Sequence, residues 1–194
     1  GNLMNLEGKV VESSKERIKE LVNTVETNHV EVKIATYKGD IIDGLQDIDK
    51  ELGIDLIIIA PRSNEIDEEL YLGNTSGRIV KQTNIPTLIV PKETAFTPPK
   101  QILTAFGSGI LKRSRVLNPL VSIRDKFRAE VSLLLVKRSG YSEDDLQINT
   151  ALMDLSTRVT ISENVTTYLG VLEHYQSQNP DLLCVFRKKR GFFK

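Results

Sequence analysis

The sequence has a single cysteine, two histidines, no net charge and no long hydrophobic run. Cys184 alone cannot close an internal disulfide, so a reducing, cytoplasmic setting is expected. Lys and Arg total 26 against 26 for Asp and Glu, which leaves no basic field for a nucleic-acid partner. Apolar runs such as Leu56–Ala60 and Leu133–Val136 are far too short to span a bilayer, and no secretory leader is evident. No membrane partner is therefore expected. His29 and His174 have no Cys or His at ligand spacing, so no metal site is assigned. Ser63 and Ser108 lack a plausible His/Asp pair, and no Gly-x-Ser-x-Gly elbow occurs, so no catalytic residue is assigned.

What the chain does have is alternation of helix-like and strand-like segments over 194 residues, enough for one large domain or two of roughly 100 residues each. Ile18, Leu21, Val22 and Val25 form one apolar stripe at helical spacing, predicting a helix over Ser13–Thr27. Val30, Val32 and Ile34 alternate, predicting a strand over Val30–Tyr37. Asp40 is the expected N-cap of a helix from Ile41 to about Leu52, and Gly53 its stop. Asp55–Ala60 is a continuous β-branched run, the pattern of a parallel strand covered on both faces. After a polar loop comes a helix over Arg78–Gln82, then a buried strand over Ile85–Val90. Pro91, Pro98 and Pro99 mark 93–100 as a linker between units 1–92 and 101–194.

Beyond the linker, Gln101–Gly109 reads as a strand entering a glycine turn. Ile110–Lys126 reads as a helix bent at Pro119. Ala129–Val136 is a strand. Ser142 is the expected cap of a helix carrying Ile148, Ala151, Leu152 and Leu155. Thr157–Ile161 is a strand, Val165–Gln178 a helix and Asp181–Phe186 a buried strand containing Cys184, which is read as inert packing. The chain repeats itself: the stripe 18, 21, 22, 25 returns at 148, 151, 152, 155, and Asp55-Leu56-Ile57-Ile58-Ile59 returns as Asp181-Leu182-Leu183-Cys184-Val185. Repeated βα units with buried strands predict an α/β fold, an open parallel sheet with helices on both faces.

The stretch from Gly39-Asp40 through Asp55-Leu56-Ile57, Gly73-Asn74-Thr75-Ser76 and Ile85-Pro86-Thr87-Leu88-Ile89-Val90 resembles the universal stress protein family. Gln101–Val136 looks like the opening of a second such domain, and Asp181–Lys194 is similar to a fourth strand in tandem members. The resemblance implies a Rossmann-like, adenine-nucleotide α-hydrolase-like fold with strand order 3-2-1-4-5. It also implies that ATP or AMP is the expected ligand at the switch of chain direction. Set against that pattern, the first unit lacks its first strands and the second its last strand. Segments missing from the sequence, or strands supplied by the second copy or another chain, would account for this.

The family's Gly-x2-Gly-x9-Gly-Ser/Thr loop falls on Ala60, Ser63, Gly73 and Asn74, with Thr75 next. One glycine of three is kept. Ala60 and Ser63 bring Cβ atoms where the family brings bare backbone. Glu65, Asp67, Glu68 and Glu69 add negative charge that repels a triphosphate unless a metal intervenes. Gly73–Ser76 is either a phosphate cradle or a helix cap with a tight turn, and Arg62 either a phosphate contact or a solvated loop arginine. In the second unit Gly107 stands where nucleotide-binding members carry an Asp, and Gly107-Ser108-Gly109 is a common βα turn. Arg187–Arg190 reads as an exposed loop, the alternative being contact with nucleic acid or an acidic lipid surface, and Phe192 and Phe193 as an interface or as core under a loop. The expectation is a cytoplasmic binding and signalling module working as a homodimer or as an intramolecular pseudo-dimer of its two units. The alternatives are a weak nucleotide hydrolase or the soluble regulatory domain of a membrane transporter.

Overall fold

The computed structural model describes residues 2–61, 74–111 and 114–187. The chain divides into two compact units. One is built from residues 1–54 and 61–85, the other from 55–60 and 86–194.

The first unit is helical. Helix α1 spans Asn2–Asn23, starting earlier and stopping sooner than the stripe predicts. Ile18, Leu21 and Val25 are exposed, so the stripe is not buried in this unit. Asn28 and His29 then adopt positive φ, 46° and 71°, which turns the chain. The predicted strand over Val30–Tyr37 is not formed. The segment carries no ladder among the described residues, and Val30 and Val32 are exposed. Alternation states which side chains want cover, but a strand exists only where a neighbour takes its N–H and C=O groups. Helix α2, Ile41–Leu52, matches expectation: the Asp40 carboxylate accepts the Ile42 N–H at 2.8 Å, and Gly53 closes the helix at φ 71°. Helix α3, Asn74–Gln82, is longer than predicted and buries Ser76 and Ile79.

The second unit holds the sheets. Strands β1 (Ile57–Ile59) and β2 (Thr87–Ile89) pair in parallel, with Ile58 opposite Leu88. Ile57 is buried but Ile58 is 65% exposed, so the apolar run is not covered on both faces as the sequence suggested. Strands β3 (Gln101–Phe106), β4 (Glu130–Lys137), β5 (Arg158–Glu163) and β6 (Leu182–Val185) form a parallel sheet in the order β5-β4-β3-β6. Numbered within this sheet the order is 3-2-1-4, the first four places of the expected topology.

Helix α4 spans Asn118–Phe127, preceded by a short 3-10 turn, Ser114–Leu117. Pro119 therefore lies in the first turn of α4 and bends nothing. Its missing N–H would have been an orphan there anyway. Ser142 caps no helix. Its N–H and Oγ both donate to the Asp145 carboxylate, at 2.9 and 2.8 Å. Helix α5, Thr150–Leu155, is capped instead by Asn149, whose Oδ1 accepts the Ala151 N–H. Helix α6 spans Thr167–Gln178.

The core lies on the two middle strands. Ile102, Phe106, Val131, Leu133 and Leu135 face Leu117, Leu120 and Leu152 on one side. Leu103, Ala105, Leu134 and Val136 face Val171 of α6 on the other. Each of these side chains larger than Ala105 contributes about 1.5–3 kcal/mol by leaving water. The predicted buried strand at β6 is buried on one side only. Leu183 and Val185, on the α6 side of the sheet, are 38% and 62% exposed.

Candidate functional site

The residues that the sequence singled out lie in the chain between β1 and the start of α3. Ala60 follows β1 in the second unit and is exposed. Asn74 and Thr75 are the first two residues of α3 in the first unit, also exposed. Arg62, Ser63 and Gly73 lie outside the described residues, as do the loop acids Glu65, Asp67, Glu68 and Glu69. The first turn of α3 carries no acidic side chain, so its N–H groups and positive dipole end are not neutralised from within the helix.

The sequence reading missed the ion pair that ties α2 and α3 of the first unit. Arg78 of α3 reaches the Asp40 carboxylate at the start of α2. The Arg78 bond, then the Ile42 N–H, hold the Asp40 carboxyl below its usual range. Asp40 was legible as a cap. Its second partner was not, because 38 residues separate the two and no local pattern links them.

A second missed cluster sits at the carboxyl end of the four-stranded sheet. The Tyr141 hydroxyl donates to the Gly107 carbonyl at 2.7 Å. Arg138 donates its Nε–H to the same hydroxyl at 3.3 Å, and its guanidinium lies 5.4 Å from the ring centroid. A Cβ on Gly107 would stand 2.9 Å from Thr167 Oγ1 and 3.3 Å from the Tyr141 oxygen. Glycine leaves room for both side chains. At the opposite end, the Asp181 carboxylate accepts the N–H groups of Lys100 and Gln101, at 2.8 and 2.9 Å. Those two bonds lower its pKa. Burial pushes the Cys184 thiol up to about 11, so it stays protonated at neutral pH. His174 Nδ1 lies 2.9 Å from the Gly170 carbonyl, within its own helix.

Among the described residues, no three His, Cys, Asp or Glu side chains group to hold a metal. No described helix is long and apolar enough to cross a membrane.

Parallel strands joined through helices, in a sheet whose order reverses beside its first strand, define an open-sheet α/β protein. Residues 4–91 match the Universal stress protein family. The structure is similar to that of a universal stress protein from Archaeoglobus fulgidus. The TM-score is 0.72 at 14% identity, over 95% of this chain and 70% of that one. At that identity the likeness speaks for the fold alone. A pyrimidine reductase-like protein from Corynebacterium diphtheriae aligns over 73% of this chain and 68% of its own, with 10% identity and a TM-score of 0.23. That score carries no argument. A search of curated protein sequences finds no match.

Proposed function

We propose that the chain is a tandem universal stress protein that works as a cytoplasmic binding and signalling module and takes ATP or AMP weakly through its first sequence repeat, residues 1–92. The observation that carries this reading is the family match over residues 4–91, which contains the whole loop from β1 to α3. Asn74 and Thr75 open α3 exposed, in a first turn that carries no acidic side chain, which favours an anion there. Ala60, Arg62, Ser63 and Gly73 complete the proposed rim. Loss of two family glycines makes the site weaker than a full cradle, since side chains keep phosphate off the backbone. The recurrence of sequence patterns from residues 1–92 in residues 101–194 supports the tandem reading, with dimer or pseudo-dimer association as its means of signalling.

Isothermal calorimetry of the chain with ATP and with AMP, each with and without magnesium, tests this. The expected result is saturable binding that weakens about tenfold on Gly73→Val, equivalent to ~1.4 kcal/mol. Absence of heat at millimolar nucleotide would reduce the chain to a scaffold.

A further inference from the structure

The four-stranded sheet ends in two edges, and they are guarded differently. Among the described residues β5 pairs with β4 alone and β6 with β3 alone. The β5 edge carries a charge at each end, Arg158 and Glu163, and Glu163 is paired with Lys137. The β6 edge carries none. Leu182-Leu183-Cys184-Val185-Phe186 is apolar throughout, and its register on β3 runs without a break. Lysine, proline or a bulge usually blunts a sheet edge, and this one has none of them. Its side chains divide by face. Leu182, Cys184 and Phe186 pack against the core that α4 and α5 cover. Leu183 and Val185 stand on the α6 side, beside Leu103 and Ala105, and remain 38% and 62% exposed. Edge and apolar face are therefore open at the same place.

The strand itself says what fits it. A second β6 laid antiparallel, with a two-fold axis at Cys184, sets Leu183 opposite the second copy's Val185 on the open face. It also sets Asp181 opposite the second copy's Arg187, and the reverse at the other end. Both residues are exposed, so each end of the pair brings a carboxylate to a guanidinium. Apolar pairs and opposite charges directly across are what stabilise antiparallel ladders. Moving the axis to Leu183 sets Asp181 against valine, and moving it to Val185 sets Arg187 against leucine. A shift by half a step puts opposed side chains on different faces.

We propose that two copies of this chain join edge to edge through β6, antiparallel about Cys184. The sheet then runs on from one copy into the other as β5-β4-β3-β6-β6-β3-β4-β5, with the isologous contact of a two-fold dimer. This gives the association proposed above its surface, and it rests on that part of the reading, not on nucleotide binding. One short strand and its flanks from each copy bury less than the roughly 1,200 Å² of a stable interface, so the pair is weak and parts on dilution.

Sedimentation velocity of the full chain across a concentration series is expected to show a reversible monomer–dimer equilibrium. Val185→Lys places a charge on each side of the axis, at an exposed position, and should raise the dimer Kd by about tenfold or more. Cross-linking in a Cys184→Ala background reads the register. Leu183→Cys and Val185→Cys chains, mixed and oxidised, are expected to give a disulfide-linked dimer, because opposed Cα atoms lie about 4.5–5.5 Å apart. Either chain alone should give far less. A wild type that stays monomeric overturns the proposal, and association between copies with it. A dimer indifferent to Val185→Lys, without the mixed cross-link, overturns the β6 surface and leaves association to another face. Cross-linking as efficient in one chain alone as in the mixture overturns the register about Cys184.

Discussion

At the scale of single residues, two glycines show how backbone approach was encoded without being legible. Gly170 sits where α6 crosses β4. A Cβ there would lie 2.6 Å from Val136 Cγ1 and 3.0 Å from its Cγ2. Gly170→Ala gains about 1 kcal/mol of helix propensity. Against that, overpacking against a fully buried valine costs about 1–3 kcal/mol. Urea denaturation is expected to show net destabilisation, and the loss should shrink in a Val136→Ala background, because the clashing methyls are then gone. Equal losses in both backgrounds would mean that the helix shifts rather than clashes. Gly44 makes the contrast. Its Cβ would meet Tyr37 at Cγ, 2.6 Å, and at Cβ, 3.1 Å, the near end of a side chain that is 49% exposed, so relief there needs the 30–37 segment to shift rather than a buried neighbour to yield. Neither glycine belongs to a turn signal, so sequence pattern alone could not separate them from ordinary helix glycines.

Two carboxylates set the acid behaviour. Asp40 is lowered by Arg78 and the Ile42 N–H, and Asp181 by the N–H groups of Lys100 and Gln101. A carboxyl whose folded pKa lies below its unfolded value of about 3.9 contributes stability that is fully present above that value. The contribution is lost as pH falls through the folded pKa. Stability from these two groups should therefore decline only below about pH 4. Asp40→Asn and Asp181→Asn should each flatten the pH dependence measured by urea melts from pH 5 down to 2. A variant with the wild-type slope would show that its carboxylate contributes nothing to acid unfolding.

At the scale of elements, legibility followed whether the local signal was enough to build the element. Helix α2 was readable from cap to stop because Asp40 and Gly53 both act within a few residues of the chain. Strands β3 to β6 were readable as apolar runs because the sheet that pairs them is present. The segment 30–37 carries as clear an alternation and forms no strand. Pro119 shows the reverse error: a helix-breaking residue was placed mid-helix because the preceding 3-10 turn, Ser114–Leu117, has no distinctive signature. Its true place gives a sharp expectation. A proline inside a helix costs about 3 kcal/mol, so alanine would be strongly stabilising there. In the first turn, Pro119→Ala should change stability by less than about 1 kcal/mol, with a slight loss from the freer unfolded chain. Denaturation midpoints decide between the two, and a gain near 3 kcal/mol would return Pro119 to mid-helix.

At the scale of the whole molecule, the sequence located the family and the sheet order but not which faces would find cover. The candidate site was legible as a loop through its spacing, Ala60, Ser63, Gly73 and Asn74. The Tyr141 cluster was not, because three loops far apart in sequence meet at Gly107. Cover is decided by the helices that cross a face, and one face of the four-stranded sheet makes this measurable. Val136 and Val185 are the same residue type on the same side of the sheet, two strands apart in the order β4-β3-β6. α6 shields the first completely, while the second is 62% exposed. Val136→Ala should cost about 1–3 kcal/mol from lost burial plus the cavity left behind. Val185→Ala should stay within about 0.5 kcal/mol, the range of surface changes. Sheet propensity is nearly common to both substitutions, so the difference between them isolates the cover given by the helix. If the two losses were equal in the isolated chain, something other than α6 would have to be covering β6 in solution, and sedimentation across a concentration series would show whether it is another copy.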